Sequence, residues 1–399
     1  MSNSSNSKAT PSTKKSPLLR KKRQFYTVIA IAIFVLCGLA YLIYWLGWAR
    51  FEEETDDAYV NGNMIMLTPQ INGIVKTILA DNAELVDQGQ PIIELDRHDY
   101  QIALEKAHAD LAETVRTVVQ LFVKVAQLES SVNARKADLL RASLDYGHRK
   151  ALVDDGGVSK EDFEHSETTL LAAYATLTET QEMLNGAYAE IEGTTIATHP
   201  RVLQAKATFK NAFLQLHRCT ILSPARGIVT QRRAQVGQYV RSEDPLLAIV
   251  PLEQIWVDAN FREVQLKNFR IGQAVSMVSD MYGRRVEYHG RLVGLNPGTG
   301  SVFSILPPQN ATGNWIKIIQ RVPVKISFDD EELKKNPLVL GLSMIVTVDI
   351  HNTHGDQLPS QTPIQSLYQT TIYDQELQGV DKLIEQIIAE NTFDDYDDT

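Results

Sequence analysis

PQINGIVKTILADNAELVDQGQPIIELD, residues 69–96, returns in altered form as SPARGIVTQRRAQVGQYVRSEDPLLAIV, residues 223–250. A shift of 154 positions lays one on the other. Gly73 falls on Gly227, Ile74 on Ile228, Val75 on Val229, Val86 on Val240, Pro91 on Pro245, and Ile92-Ile93 on Leu246-Leu247. Both copies are short Val/Ile runs punctuated by turn residues, the pattern of short strands. Two similar β-rich halves separated by a long insertion predict one small sandwich. Its halves meet only if the insertion returns to its origin.

The insertion, residues 97–218, reads as two long helices folded back on each other. Asp96 is the expected N-cap, with Asp99 three residues on. Leu104, Leu111, Val118, Val125, Val132 and Leu139 recur every seven residues, with Val115 and Phe122 as partial second-seam positions, which marks a coiled-coil seam. Roughly 50 residues at about 1.5 Å each predict a projection of about 75 Å. The reversal is LVDDGGVSKED, residues 152–162. Gly156-Gly157 breaks the helix and Ser159 restarts it, with Asp162 at the capping-box position. The tip thus falls at about 148–160. The return helix has its own seam at Phe163, Leu170, Leu177, Leu184 and Ile191. Gly193, Thr194, Thr195 and Pro200 disturb it, and Val202, Phe209 and Leu216 resume the spacing after a shift of 11. A break or a stutter is expected there.

Upstream, residues 24–49 read as a transmembrane helix. Phe25 to Trp48 carries no charge over 24 residues, against about 20 needed to cross a bilayer. Tyr41, Tyr44, Trp45 and Trp48 gather at its far end, where a helix leaves lipid, and Phe25 marks the near end. Residues 1–23 are Ser-rich and contribute +7 to a net charge of −10, leaving −17 for the rest. That composition predicts a disordered basic tail. Basic residues before the span and Glu52, Glu53, Glu54, Asp56 and Asp57 after it predict a cytoplasmic N-terminus, with the bulk of the chain beyond the membrane. A signal peptide is the alternative, but the apolar run is too long and no small-x-small site follows closely. The acidity of the large part argues against nucleic acid as its partner. The two cysteines, Cys37 in the span and Cys219 far along the chain, do not form a disulfide framework.

Residues 50–68 alternate like a strand, with a turn pair at Asn61-Gly62, and are expected to join a second β-domain at 251–350. There, four or five short strands and a small helix from Glu263 to Phe269 predict a compact β-barrel. In the tail, 351–399, Val380, Leu383, Ile384, Ile387 and Ile388 have helical period. That amphipathic helix would dock on a partner or on the chain's own barrel, before an acidic end at Asp394, Asp395, Asp397 and Asp398.

Little in the chain points to reaction chemistry. GLNPGTGSVF, residues 294–303, lacks the Gly-Lys-Ser/Thr ending of a phosphate loop and reads as a barrel turn. His351 and His354 stand in a polar tail without a carboxylate or cysteine cluster, so no metal site is expected. No nucleophile-elbow, metalloprotease or paired-Cys motif is present. Lipoyl and biotin carriers share the half-sandwich pattern, but they display a modified lysine on a tight hairpin between the halves. Here the connection is helical, and the corresponding internal turns, Asp81-Asn82 and Gln235-Val236, hold no lysine. No catalytic residue, cofactor or metal ligand is therefore assigned.

The order of parts and four strings, TDDAYVNGN at 55–63, SPARGIV at 223–229, WVDANFRE at 256–263 and NATGNWIKIIQRVPVKI at 310–326, resemble the periplasmic adaptors, or membrane fusion proteins, of the HlyD-like superfamily, most closely the EmrA type. The likeness covers roughly residues 50–350. It implies an elongated α+β protein: a single N-terminal transmembrane helix, a split lipoyl-like β-sandwich with an inserted α-helical coiled-coil hairpin, and a C-terminal β-barrel. The lipoyl-like halves would be 69–96 and 219–250. It implies a non-enzymatic, homo-oligomeric subunit of a multidrug efflux pump. Held in inner-membrane lipid, it would bridge a major-facilitator-type transporter to a TolC-like outer-membrane channel. Adaptors of this superfamily often carry Arg, then Leu four on, then Ser seven further, as channel contacts at the hairpin tip. Leu152 and Ser159 match that spacing; His148 stands at the Arg position, with Arg149 beside it. An adaptor of an ATP-driven type I secretion system would share the fold. A membrane-anchored coiled-coil sensor or scaffold is the reading from another class, and it needs an output domain for which 23 residues leave no room.

Overall fold

The computed structural model describes residues 17–47, 49–300, 302, 319–360, 362 and 366–392. In chain order, α1 (Pro17–Gly47) precedes β1 (Glu52–Gly62), β2 (Ile65–Leu67), β3 (Gly73–Ile78), β4 (Leu85–Val86) and β5 (Pro91–Leu95). Three long helices follow, α2 (His98–Val153), α3 (Lys160–Ile191) and α4 (Pro200–His217). Then come β6 (Thr220–Leu222), β7 (Gly227–Thr230), β8 (Tyr239–Val240), β9 (Leu247–Val250) and β10 (Ile255–Arg262). The rest is β11 (Ala274–Ser279), β12 (Glu287–Leu295), β13 (Arg321–Phe328), α5 (Asp330–Lys335), β14 (Ser343–Asp349) and α6 (Val380–Asn391). These elements divide into two units, one of residues 64–250 and 367–399, the other of residues 1–63 and 251–366.

The internal repeat becomes a pseudo-two-fold in the first unit. Two four-stranded sheets, β2-β9-β7-β4 and β6-β5-β3-β8, enclose its sandwich core. Each half completes the other. Gly73 pairs with Val240 and Ile74 with Tyr239, while Gly227 pairs with Val86 and Ile228 with Leu85. The repeat even reproduces its turns: the Glu84 carboxylate accepts the Asp81 N–H at 2.9 Å, and the Gln238 amide oxygen accepts that of Gln235 at 3.0 Å. At the same place in both turns the backbone is left-handed, on Gly237 (φ 84°) and, against the usual penalty, on Ala83 (φ 68°). The repeat also extends beyond the two matched strings. Leu67 pairs with Leu247 as Ile221 pairs with Ile93, so β2 is the counterpart of β6. The segment expected as one strand over 50–68 is therefore two strands, of which β2 lies in the sandwich. Val75, Val86, Ile92, Ile93, Leu95, Val229, Val240 and Leu246 fill the core.

Between the halves, α2 runs for 56 residues, about 84 Å at about 1.5 Å per residue. Its first residue is His98 and its N-cap position Arg97, one residue beyond the expected Asp96. The Asp96 carboxylate accepts the His98 N–H from outside. Leu111, Val118, Val125 and Val132 are buried, as their seven-residue spacing predicts. α3 returns along α2 with Leu184, Ala187 and Ile191 buried. It then stops. Gly193 turns left-handed (φ 70°), a 3-10 turn spans Ile196–Thr198, and Pro200 opens α4 at a position that lacks an N–H partner in any case. The buried His199 ring joins the two ends, bonding the Glu190 carbonyl through Nε2 and accepting the Arg201 N–H at Nδ1. Lys206 Nζ donates to the Ala197 carbonyl at 2.8 Å, and burial holds that ammonium below the usual lysine value.

The amphipathic tail is helical over α6, and its apolar face, expected on a partner or on the barrel, is covered by the chain's own hairpin. Val380, Ile384 and Ile387 enter one core with Leu111, Val115, Val118, Phe209 and Ala212 of α2 and α4. The hairpin base is thus a three-helix bundle. Lys210–Asp381 at 2.6 Å, Arg116–Asn391 at 2.8 Å and the Arg218–Glu376 pair at 3.1 Å surround the contact.

In the second unit, six strands among the described residues close a barrel in the order β1-β10-β13-β12-β11-β14. Alternation puts Val257, Ala259, Phe261, Val324, Ile326, Val346 and Val348 inside. Strand β1 closes the ring between β10 and β14, joining the five strands of 251–350 as the alternation of 50–68 predicts. The expected helix at Glu263–Phe269 is a 3-10 turn over Glu263–Asn268. The short α-helix is α5 instead, capped by the Asp329 side chain, acidic in its first turn and basic in its last. Ahead of β1, the side chains of α1 from Phe25 to Gly47 are exposed throughout, and the helix is long and apolar enough to cross a membrane, with a mean hydropathy of 2.5. Phe25 and Trp45 lie on it and are exposed; Trp48 lies outside the described residues, as do Trp315 and the acidic end of the tail.

Candidate functional site at the hairpin tip

The tip is built by the end of α2 and the start of α3. α2 ends because Gly156 takes a left-handed conformation (φ 74°). Its last carbonyls are met by the turn, with Gly157 N–H on Leu152 O at 3.0 Å and Gly156 N–H on Val153 O at 3.2 Å. Ser159 then caps α3. Its hydroxyl oxygen accepts the Asp162 N–H at 3.1 Å and its O–H donates to the Asp162 carboxylate at 2.6 Å.

The four residues singled out from the sequence play different parts. Arg149 is engaged: Nε donates to Asp145 on its own helix at 3.2 Å, and a guanidinium N–H donates to the Asp162 carbonyl on α3 at 2.9 Å. It ties the two helices beneath the turn. His148 is exposed. Leu152 is 49% exposed at the end of α2. An apolar side chain held open beside the turn, with polar capping groups around it, is a surface that gains by being covered. Ser159 is spoken for by its cap, so its hydroxyl reaches a partner only in addition to that role.

Pattern reading missed what stiffens the tip. The Tyr146 and Phe163 rings stack across the hairpin, with centroids 5.4 Å apart and planes at 28°. Lys150 Nζ lies 5.8 Å from the Tyr146 ring. The signal was present: Phe163 opens the α3 seam and Tyr146 falls seven residues beyond Leu139. Further down, Tyr188 O–H on α3 donates to the Glu129 carboxylate on α2, a polar tie between the two helices. Among the described residues no group of three or more His, Cys, Asp or Glu side chains is placed to hold a metal ion.

A split sandwich with a helical hairpin between its halves, in a chain with an apolar N-terminal helix, defines the membrane fusion class of adaptor. Residues 98–219 match the family model of the EmrA α-helical hairpin domain. The multidrug export protein EmrA of Escherichia coli K12 is 41% identical over 349 residues, 88% of this chain and 90% of its own. EmrA of Haemophilus influenzae is 38% identical over 96% of this chain and 98% of its own. The fatty acid resistance protein FarA of Neisseria gonorrhoeae is 39% identical over 85% of each. The solved structure of the periplasmic adaptor protein EmrA aligns over 75% of this chain and 99% of its own, at 21% identity and a TM-score of 0.38. The chain belongs to the EmrA-type, HlyD-like family of membrane fusion proteins.

Proposed function

We propose that this protein is the adaptor subunit of a tripartite multidrug efflux pump. It bridges a major-facilitator-type transporter in the inner membrane to a TolC-like outer-membrane channel. α1 anchors it as a single pass in inner-membrane lipid with the N-terminus in the cytoplasm, and the sandwich, hairpin and barrel lie in the periplasm. It works as a homo-oligomer, since a tubular channel needs several contacts around its rim. Its role is spatial, and it carries out no reaction. The names of its relatives, which cover multidrug export and fatty acid resistance, make amphiphilic toxic compounds the expected cargo.

The observation that carries this reading is the tip. Its frame is rigid, built by the Ser159 cap, the Arg149 cross-tie and the Tyr146–Phe163 stack, and it holds Leu152 exposed at the far end of an α2 helix of 56 residues. His148, Arg149, Leu152 and Ser159 form the docking end, with Leu152 supplying the apolar contact. The test is a photo-reactive residue at Leu152, and separately at Ser159, in intact cells, with captured partners identified by mass. Capture of a TolC-like channel is expected. Capture of inner-membrane or soluble proteins alone, from well-expressed protein, would replace this reading with an anchored scaffold.

A further inference from the structure

The barrel begins almost where the membrane helix stops. α1 ends at Gly47, and a 3-10 turn over Ala49–Phe51 leads into β1. Phe51 already belongs to the barrel: it packs against the barrel core, and its carbonyl accepts the Ile350 N–H at 2.8 Å. Fully extended, the chain from Gly47 to Phe51 would span at most about 14 Å. With a 3-10 turn in it, rising about 2 Å per residue, the span is about 9 Å. The headgroup layer of a bilayer is about 5–8 Å thick on each side of the hydrocarbon. A helix that crosses the bilayer as far as Gly47 therefore sets this rim of the barrel in the headgroups or at their outer edge.

Strand direction decides what else stands at this rim. β10 runs antiparallel to β1, with Gly62 opposite Ile255 and Ala58 opposite Ala259, so its end at Arg262 lies beside the start of β1. The 3-10 turn over Glu263–Asn268 follows directly and is held from several sides. The buried Gln265 amide donates to the Glu53 carboxylate at 2.8 Å and to the Glu54 carbonyl at 3.3 Å. The Glu263 N–H donates to the Gln320 carbonyl at 3.2 Å, and the Gln357 amide to the Lys267 carbonyl at 3.0 Å. Phe269 closes the turn, buried edge-on against Phe261 with centroids 4.8 Å apart. On this fixed turn Val264 is 79% exposed. Ile319 and Leu358, next in sequence to Gln320 and Gln357, are 64% and 56% exposed. One exposed valine on a soluble surface is ordinary. Aliphatic side chains left open around one rigid turn at the level of the headgroups form a surface that gains by entering lipid. The exposed charges of the turn and its approach, Arg50, Arg262 and Lys267 against Glu52, Glu54 and Glu263, balance. The contact is therefore apolar and suits zwitterionic lipid.

We propose that this rim is a second membrane contact: Val264, flanked by Ile319 and Leu358, dips into the surface of the bilayer that α1 crosses. Lys267 on the same turn keeps its ammonium among the headgroups while its stem lies against lipid. The barrel is then held at two points, by the helix and by the rim, and does not swing freely on the short connection between them. The inference rests on the reading of α1 as a membrane span. It requires neither a transporter nor a channel.

The full-length C37S chain in phosphatidylcholine nanodiscs, with no other membrane protein, tests it; Cys219 is buried and stays unlabelled. An environment-sensitive fluorophore is placed at Glu263→Cys, beside an intact Val264, and in separate samples at Leu46→Cys on α1 and at Val339→Cys. Val339 is 55% exposed at the other end of the barrel, where the Gly341 N–H donates to the Val60 carbonyl. The quencher is a nitroxide carried high on the lipid acyl chain. Labels at positions 46 and 263 should lose at least about half of their emission, and the label at position 339 almost none. V264D, at so exposed a site, should leave barrel melting unchanged and cut the quenching at position 263 by at least about half. Quenching at position 46 without quenching at 263 would overturn the proposal, leave the anchor standing and give the rim to a protein partner. No quenching at position 46 would overturn the anchor and the proposal with it. Quenching at position 263 that V264D leaves unchanged, or that position 339 equals, would overturn the contact.

Discussion

Replacing Ile384 by alanine asks whether the three-helix base of the hairpin is real. α6 spans 12 residues, too short to be stable alone in water, so docking must hold it. Its buried anchors are Val380, Ile384 and Ile387. Each contributes about 1.5–3 kcal/mol of burial, a gross of about 4.5–9 kcal/mol, most of which is offset by the entropy of ordering the segment. The surrounding pair Lys210–Asp381 is exposed and adds little. Truncating Ile384 removes about 2–4 kcal/mol, as much as the net docking energy such a segment can hold. α6 should therefore leave as a unit while the hairpin stays folded. Hydrogen exchange followed by mass spectrometry reads this directly: amides of residues 384–391 should lose protection, and those of α2 from 111 to 132 should keep it. L383A, at a site 43% exposed, should change exchange little. Unchanged α6 protection in I384A, or a loss spread evenly over α2 and α4, would refute the docking energetics.

Three further outcomes are expected. Gly227→Ala would bring a methyl to 2.5 Å from the Val250 carbonyl oxygen, whereas Gly73→Ala at the pseudo-equivalent site meets only Leu95 at 3.5 Å. Urea unfolding of the full chain should show a loss of about 3 kcal/mol or more for the first and a change within about 0.5 kcal/mol for the second. Ser159→Ala removes the α3 cap and should cost about 1 kcal/mol, read as faster exchange at residues 161–163 with no change in the sandwich. On the barrel, the bond to Glu332 raises His289 above its usual value. Its stabilisation should be full below about pH 6.5 and fall away as pH rises through the folded value, and E332Q should flatten that slope in barrel melting curves.

The sandwich was legible because its two halves are still alike, and a strand that matches its copy must sit where the copy sits. The hairpin was legible because a seam repeats; its length, its Gly156 turn and its Ser159 cap are all local events. What was hidden depends on partners far away in the chain. β1 alternates visibly, but only closure of the barrel shows that it sits between β10 and β14. α6 shows its apolar face by period, and a period names a face without naming what covers it. α5 was readable in hindsight, since Asp329 followed by acids and then Lys334-Lys335 is a capped helix with its charges in the right order. At the tip, spacing picked out Leu152 and Ser159. The Arg149 cross-tie to a backbone carbonyl on the facing helix leaves no mark on spacing at all.

The exchange of strands between the halves sets a condition on folding. β3 needs β8 and β7 needs β4, so neither half can close its own sheet. Joining them across a flexible insertion of roughly 120 residues would cost about 4 kcal/mol in loop closure alone. A helical hairpin avoids most of that cost if it zips from its tip, since each further contact then closes only a short additional loop. Once α2, α3 and α4 pair, their open ends lie together, and Arg97 at the start of the insertion donates to Thr220 beyond its end at 2.6 Å. The hairpin is then the element that makes the sandwich possible as well as the arm that carries the tip. Weakening its base should slow sandwich folding, while weakening its tip should leave sandwich folding unchanged.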